Sequence, residues 1–221
     1  MTGYSIRTRL GIAARTMVLA ALALTATTAP AHAQQPSSPP PDHVVIDVVS
    51  VNGSGCPQNT AAVALAQDST AFTVTYSAYL AQVGPQAVPT DFRKNCQLGV
   101  RVHVPQGFTY AVAKADYRGF ATLARGANAV EQANYYFQGA TPTARARQQF
   151  TGPYDGDWQA TDTVGVASLA WARCGAFRDL NINTELRVNR GNSAPSATSF
   201  ITMDSTDTSI STLYHLAWKR C

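Results

Sequence analysis

Period-two alternation of apolar and polar residues is the strongest constraint in this sequence. In Phe72–Leu80 (FTVTYSAYL) the residues Phe72, Val74, Tyr76, Ala78 and Leu80 face one way, and Thr73, Thr75, Ser77 and Tyr79 the other. The same pattern runs through Leu98–Val104, Ile182–Val188 and Ile210–Trp218. A strand places successive side chains on opposite faces, so this pattern marks half-buried strands. Val44–Val51, Phe108–Asp116, Asn134–Gln138, Trp158–Val164 and Phe200–Met203 also read as strands. Turn signals separate them: Asn52-Gly53, Pro105-Gln106-Gly107, Arg125-Gly126, Gly152-Pro153, Asp155-Gly156 and Arg190-Gly191. Only Gly119–Gln132 could hold a helix, and its glycines keep it short. One apolar and one polar face per strand fits antiparallel sheets. The expected fold is therefore all-β, an antiparallel two-sheet sandwich or jelly-roll-like domain with at most one short helix.

Residues 1–33 read as a signal peptide. Arg7, Arg9 and Arg15 precede the uncharged run Met17–Ala29, and Ala31-His32-Ala33 is an A-x-A cleavage site. The run is too short for a spanning helix, which needs about 20 residues. Residues 34–42 (QQPSSPPPD) read as a flexible proline-rich arm, and 43–221 as a single β-sandwich domain. The chain carries 17 Lys+Arg and 13 Asp+Glu. Three of those arginines, and no acid, lie in the signal, so the mature protein is close to neutral. The remaining basic residues form no stripe, which argues against nucleic acid as a partner. No later segment is apolar enough to span a bilayer, so no membrane association is expected after cleavage.

Cys56, Cys96, Cys174 and Cys221 are an even set in an exported chain, so two disulfides are expected. Three connectivities are open. Cys56–Cys96 with Cys174–Cys221 is favoured because each bridge then closes a loop within its own half of the chain. Each such loop would stabilise by roughly 3–4 kcal/mol. The absence of a CxxC pair argues against zinc, and neither a metal nor a cofactor is expected.

Tyr154-Asp155-Gly156-Asp157-Trp158, with Asp162 beyond, is the stretch richest in candidate chemistry. It reads first as a β-turn. Asp155 and Asp157 could share a Ca²⁺ ion, but the spacing does not match an EF-hand loop. Alternatively, Tyr154 and Trp158 could stack on sugar rings while Asp155 and Asp157 accept hydroxyl hydrogen bonds. Against this, Trp158 could equally be a core anchor. For hydrolysis, His103 and His215 fall on polar strand faces, and either could act as a base oriented by Asp91 or Asp116. Glu131 and Glu185, the two glutamates of the chain, are a candidate glycosidase pair. No G-x-S-x-G elbow is present. In Tyr135-Tyr136-Phe137 one ring must face away from its neighbours, and an exposed ring could form a contact patch.

An ordered set of short motifs spans the chain from residue 46 to Cys221. It comprises NGSGCP (Asn52–Pro57), RKNCQ (Arg93–Gln97), VPQGF (Val104–Phe108), YRGF (Tyr117–Phe120), YYFQG (Tyr135–Gly139), FTGPYDGDW (Phe150–Trp158), LNINT (Leu180–Thr184) and YHLAW (Tyr214–Trp218). In this set the chain resembles the secreted family termed domain of unknown function 4360, found in actinobacteria and filamentous fungi. The resemblance implies an exported β-rich domain and carries over no catalytic residue. The expected function is that of a secreted, extracellular, non-enzymatic binding or interaction module. Its partner would be a cell-wall or environmental polysaccharide, or another secreted protein. A secreted hydrolase and a structural surface protein are the alternatives.

Overall fold

In the computed structural model the alternating stretches form strands joined by turns. The structure describes residues 38–40, 44–140, 144–163, 171–175, 177–203 and 212–221. The signal segment and most of the proline-rich arm lie outside them. In chain order the strands are β1 (Val45–Asn52), β2 (Ala61–Leu65), β3 (Ala71–Tyr76), β4 (Leu80–Val83), β5 (Arg93–His103), β6 (Phe108–Leu123), β7 (Asn128–Phe137), β8 (Ala144–Thr151), β9 (Tyr154–Thr163), β10 (Leu180–Asn189), β11 (Ser199–Thr202) and β12 (Thr212–Arg220). They build two antiparallel sheets. The five-stranded sheet has the order β1-β5-β10-β7-β8. The larger one has the order β2-β3-β12-β6-β11-β4, with β9 also paired to β6.

The apolar phase of each strand faces the space between the sheets. Leu98, Ile182 and Leu186 project from the smaller sheet, and Phe72, Tyr214 and Trp218 from the larger. Phe72 and Tyr214 stack with ring centroids 4.8 Å apart. Burying each such ring contributes about 1.5–3 kcal/mol of transfer free energy. Cys56 pairs with Cys96 and Cys174 with Cys221. The first bridge is buried, and both cysteines of the second are exposed.

The one stretch that could have held a short helix forms none, and two expectations need correction. Gly119–Gln132 is not helical: β6 continues to Leu123, turns, and re-enters as β7 at Asn128. The alternation persists on both sides of the turn, with Ala121, Leu123, Ala129 and Glu131 all buried. Gly126 supplies the turn's left-handed residue, with φ +89°. Phe72–Leu80 is not one strand either. A bend at Ser77-Ala78 shifts the phase, so Tyr79 points inward and bonds Thr184 at 3.1 Å. Finally, Tyr154–Trp158 is not a loop but the first half of β9.

Candidate binding face

The outward positions of β10 are Asn181, Asn183, Glu185, Arg187 and Asn189, because their neighbours Leu180, Ile182, Thr184, Leu186 and Val188 are buried. By the same parity β7 turns Asn128, Val130, Gln132, Asn134 and Tyr136 outward. Strand register then sets these side chains in rows. Gln97, Asn183, Asn134 and Arg145 form one row across β5, β10, β7 and β8. Asn95, Glu185, Gln132 and Arg147 form the next. Asn181 lies opposite Tyr136. Neighbouring strands sit about 4.8 Å apart, so the amides make a continuous surface.

Hydrogen bonds fix part of this surface and leave part free. Asn183 Nδ2 donates to Tyr136 Oη at 3.3 Å, and Arg145 Nε donates to Asn134 Oδ1 at 2.9 Å. Glu185 takes both Arg93 and Arg187, which leaves that cluster with one net positive charge. Among the described residues the side chains of Gln97, Gln132 and Asn181 have no hydrogen-bond partner. Tyr136 is half-buried on the same face, while Tyr135 and Phe137 point into the core. No single amide stood out in the sequence. The usable signal was their recurrence at outward positions in Asn181-x-Asn183 and Gln132-x-Asn134-x-Tyr136.

The stretch singled out by sequence is divided by its strand. Trp158 is 4% exposed, packs 5.2 Å from the Phe150 ring, and donates its indole N–H to Thr202 O at 3.1 Å. Its indole is therefore a core anchor, with no face free for a sugar. Tyr154 packs against the core, and its hydroxyl donates to Asp157 O at 2.6 Å. Asp155 and Asp157 are exposed on the outer face of the larger sheet, where Asp155 accepts from Thr122 Oγ1 at 2.7 Å. Phe120 and Phe200 stack nearby, 6.1 Å apart. Asp162 lies on the opposite, core-facing side of β9, so it cannot join Asp155 and Asp157 around one cation.

Glu131 and Glu185 sit on adjacent strands but opposite faces of the five-stranded sheet. They cannot flank one glycosidic bond, which removes the glycosidase pair. Glu131 is fully buried, and neither carboxyl oxygen has a hydrogen-bond partner among the described residues. Burial, with the nearby Asp162 charge, pushes its pKa well above the usual carboxyl value. Burial also raises that of Asp162, which accepts from Tyr135 Oη at 2.9 Å. Tyr117 bonds Tyr135 in turn.

Of the two histidines, His103 meets Asp47 at 2.7 Å on an exposed surface. His215 meets Asp116 at 2.9 Å. Asp91 bonds Lys94, Gln82 and the Val88 N–H instead of either histidine. Asp116 also takes Lys114 and the Thr161 hydroxyl, both at 2.7 Å. A base and its orienter are thus present. The hydroxyl beside them, however, gives its proton to Asp116 and is not presented to His215 as a nucleophile.

These features define a secreted, extracellular all-β protein held by two disulfides. The chain belongs to the family described as domain of unknown function DUF4360, whose model matches residues 42–221. It is 36% identical over 185 residues to an uncharacterized secreted protein of Arthroderma benhamiae, a match covering 84% of this chain and 75% of that one. Among solved structures, it is similar to TmCBM61 in complex with β-1,4-galactotriose, with TM-score 0.28, 9% identity, and coverage of 78% of this chain and 88% of the other. It is also similar to the enzymatically active domain of bacteriophage CBA120 tailspike protein 4. There the TM-score is 0.27 and the identity 12%, covering 81% of this chain and 19% of the other. Likeness at this level does not extend to ligands.

Proposed function

We propose that this protein is a non-enzymatic extracellular binding module that takes a polysaccharide on the outer face of its five-stranded sheet. The observation that carries this reading is the row-by-row array of amides around Tyr136, of which Gln97, Gln132 and Asn181 have no hydrogen-bond partner among the described residues. A sugar presents hydroxyls that both donate and accept, and each amide offers both functions. It also presents apolar ring faces, for which a tyrosine supplies a rigid surface with a polar tip. Glu185 is held by Arg93 and Arg187, and Arg145 and Arg147 lie in the same rows, so the face is net basic and suits a polysaccharide that is neutral or carries acidic groups. A sheet holds these groups in fixed positions, so little ordering cost falls on binding.

The test is co-sedimentation of oxidised protein with insoluble cellulose, chitin, β-glucan and galactan. Tyr136→Ala and the double variant Gln132→Ala/Asn181→Ala should each weaken retention about tenfold or more, the scale of one or two lost hydrogen bonds or a stacked ring. Circular dichroism should be unchanged. Retention on none of these polymers, or equal retention of all variants, overturns the reading.

A second reading places the ligand on the opposite side of the sandwich, where the stacked Phe120 and Phe200 adjoin Asp155 and Asp157. Phe120→Ala and Asp157→Asn in the same assay separate the two faces.

A further inference from the structure

A pocket of about 460 Å³ lies between the end of β5 and the start of β6. It is within the range of small-molecule sites, about 300–1,000 Å³. Its walls are apolar: Val102, Val104, Phe108, Tyr110, Ala172 and Phe177 all line it. The segment carrying Ala172 is fastened to β6, since Ala172 N–H donates to Tyr110 O at 2.9 Å and Thr109 Oγ1 donates to Ala172 O at 2.6 Å. The Cys174–Cys221 bridge closes one side.

Two features point to an occupant. Phe177 is 88% exposed, an unusual position for a large apolar ring beside an open apolar cavity. Arg173 and Arg178 also line the pocket. Arg178 spends one nitrogen on Gln138 O at 2.7 Å, and Arg173 has no partner among the described residues. The nearby Asp179 is held by Arg101 in a two-point pair at 2.8 and 3.1 Å, so it does not cancel these charges.

We infer that this pocket is a second ligand site, taking a small amphipathic organic acid with its apolar body against the valines and aromatic rings and its anionic head at Arg173 and Arg178. Guanidinium forks suit carboxylate and sulfonate heads, and such charge-assisted bonds are the strong ones. The site uses none of the amide-face residues.

The probe is anilinonaphthalene sulfonate, with the uncharged N-phenylnaphthylamine as its neutral counterpart, titrated by fluorescence into folded, oxidised protein. The sulfonate should bind saturably at one site and more tightly than the neutral compound. Arg173→Gln should weaken the sulfonate about tenfold and leave the neutral compound unchanged, as expected for one lost charge-assisted contact. Val104→Trp should weaken both by filling the pocket, with melting curves confirming that the variant folds. Equal binding of the two probes to the unaltered protein overturns the inference, as does sulfonate affinity unchanged by Arg173→Gln.

Discussion

His215 and Asp116, 99 residues apart in the chain, meet across β12 and β6 with Nε2 2.9 Å from Oδ2. Asp116 is the centre of a closed network that also holds Lys114 and Thr161. Burial alone would raise its pKa, but the hydrogen bonds from Lys114, Thr161 and His215 outweigh that and bring it from 3.8 to about 2. A carboxylate with a lowered folded-state pKa stabilises the fold above its unfolded pKa, and that stability is lost as pH falls through the folded one. The protein should therefore lose up to about 2 kcal/mol from this group as pH falls from about 4 to 2. Asp116→Asn should be less stable at neutral pH and should lack that part of the acid decline. Urea melts between those pH values check it, and an identical acid limb in the variant would refute it.

Glu131 gives the opposite sign. It is an acid whose folded-state pKa is raised by burial. Above the ordinary glutamate value of 4.5 the unfolded chain releases a proton that the folded chain keeps. Stability from this group is thus full at low pH and falls as pH rises from there toward the folded value. Glu131→Met, which keeps the volume and removes the unpaired oxygens, should raise stability at pH 8 by about 1–3 kcal/mol. The gain should shrink toward pH 4. A gain independent of pH would show that ionisation is not the cause.

How far the fold was legible depended on whether each strand kept its phase. The core of β10 reads directly from Ile182–Val188 because Ile182, Leu186 and Val188 keep one phase with Thr184, and the structure extends the strand to Leu180–Asn189. Phe72–Leu80 failed because two strands of opposite phase are joined by a bend that keeps apolar residues nearby, a tertiary effect invisible to a window of nine residues. Asp155-Gly156-Asp157 looked like a turn because those residues favour turns. Here they belong to a strand whose only ladder partner among the described residues is β6, and the aspartates occupy its solvent side. Glu131 is buried although glutamate usually is not. Its inward position follows only from its place between Ala129 and Ala133 in β7.

The candidate face was less legible for a different reason. Asn183 gains its meaning from Gln97 and Asn134, which register sets beside it. Neither is near it in sequence. Amides also carry no charge, so no composition argument finds them. Tyr136 was visible as one ring of three that must point outward, but its surroundings were not.

Trp158→Ala should destabilise the protein by about 3–5 kcal/mol, because the indole is buried against Phe150 and its N–H bond to Thr202 is lost with it. Gly119 underlies this packing: a Cβ there would sit 2.7 Å from the indole and 2.0 Å from Thr202 O. Gly119→Ala should thus be costly as well. Denaturant melts measure both, and a change below about 1 kcal/mol in Trp158→Ala would contradict a core role.

The two disulfides should differ in their response to reductant. Cys56 and Cys96 are buried at 0% and 1% exposure, whereas both Cys174 and Cys221 are exposed. Thiol–disulfide exchange requires the attacking thiolate to reach a sulfur, so access separates the two. Mild dithiothreitol on the folded protein, followed by alkylation and peptide mapping, should label Cys174 and Cys221 first. Losing that bridge frees the last strand's end and the segment at the pocket rim, and in the loop-entropy model it costs about 2–5 kcal/mol. The same loss in Cys221→Ser should leave the Cys56–Cys96 bridge intact, because that bridge lies in the other half of the chain and is held by the core around Tyr79 and Leu98. Simultaneous labelling of all four cysteines would show that reduction proceeds only through global unfolding.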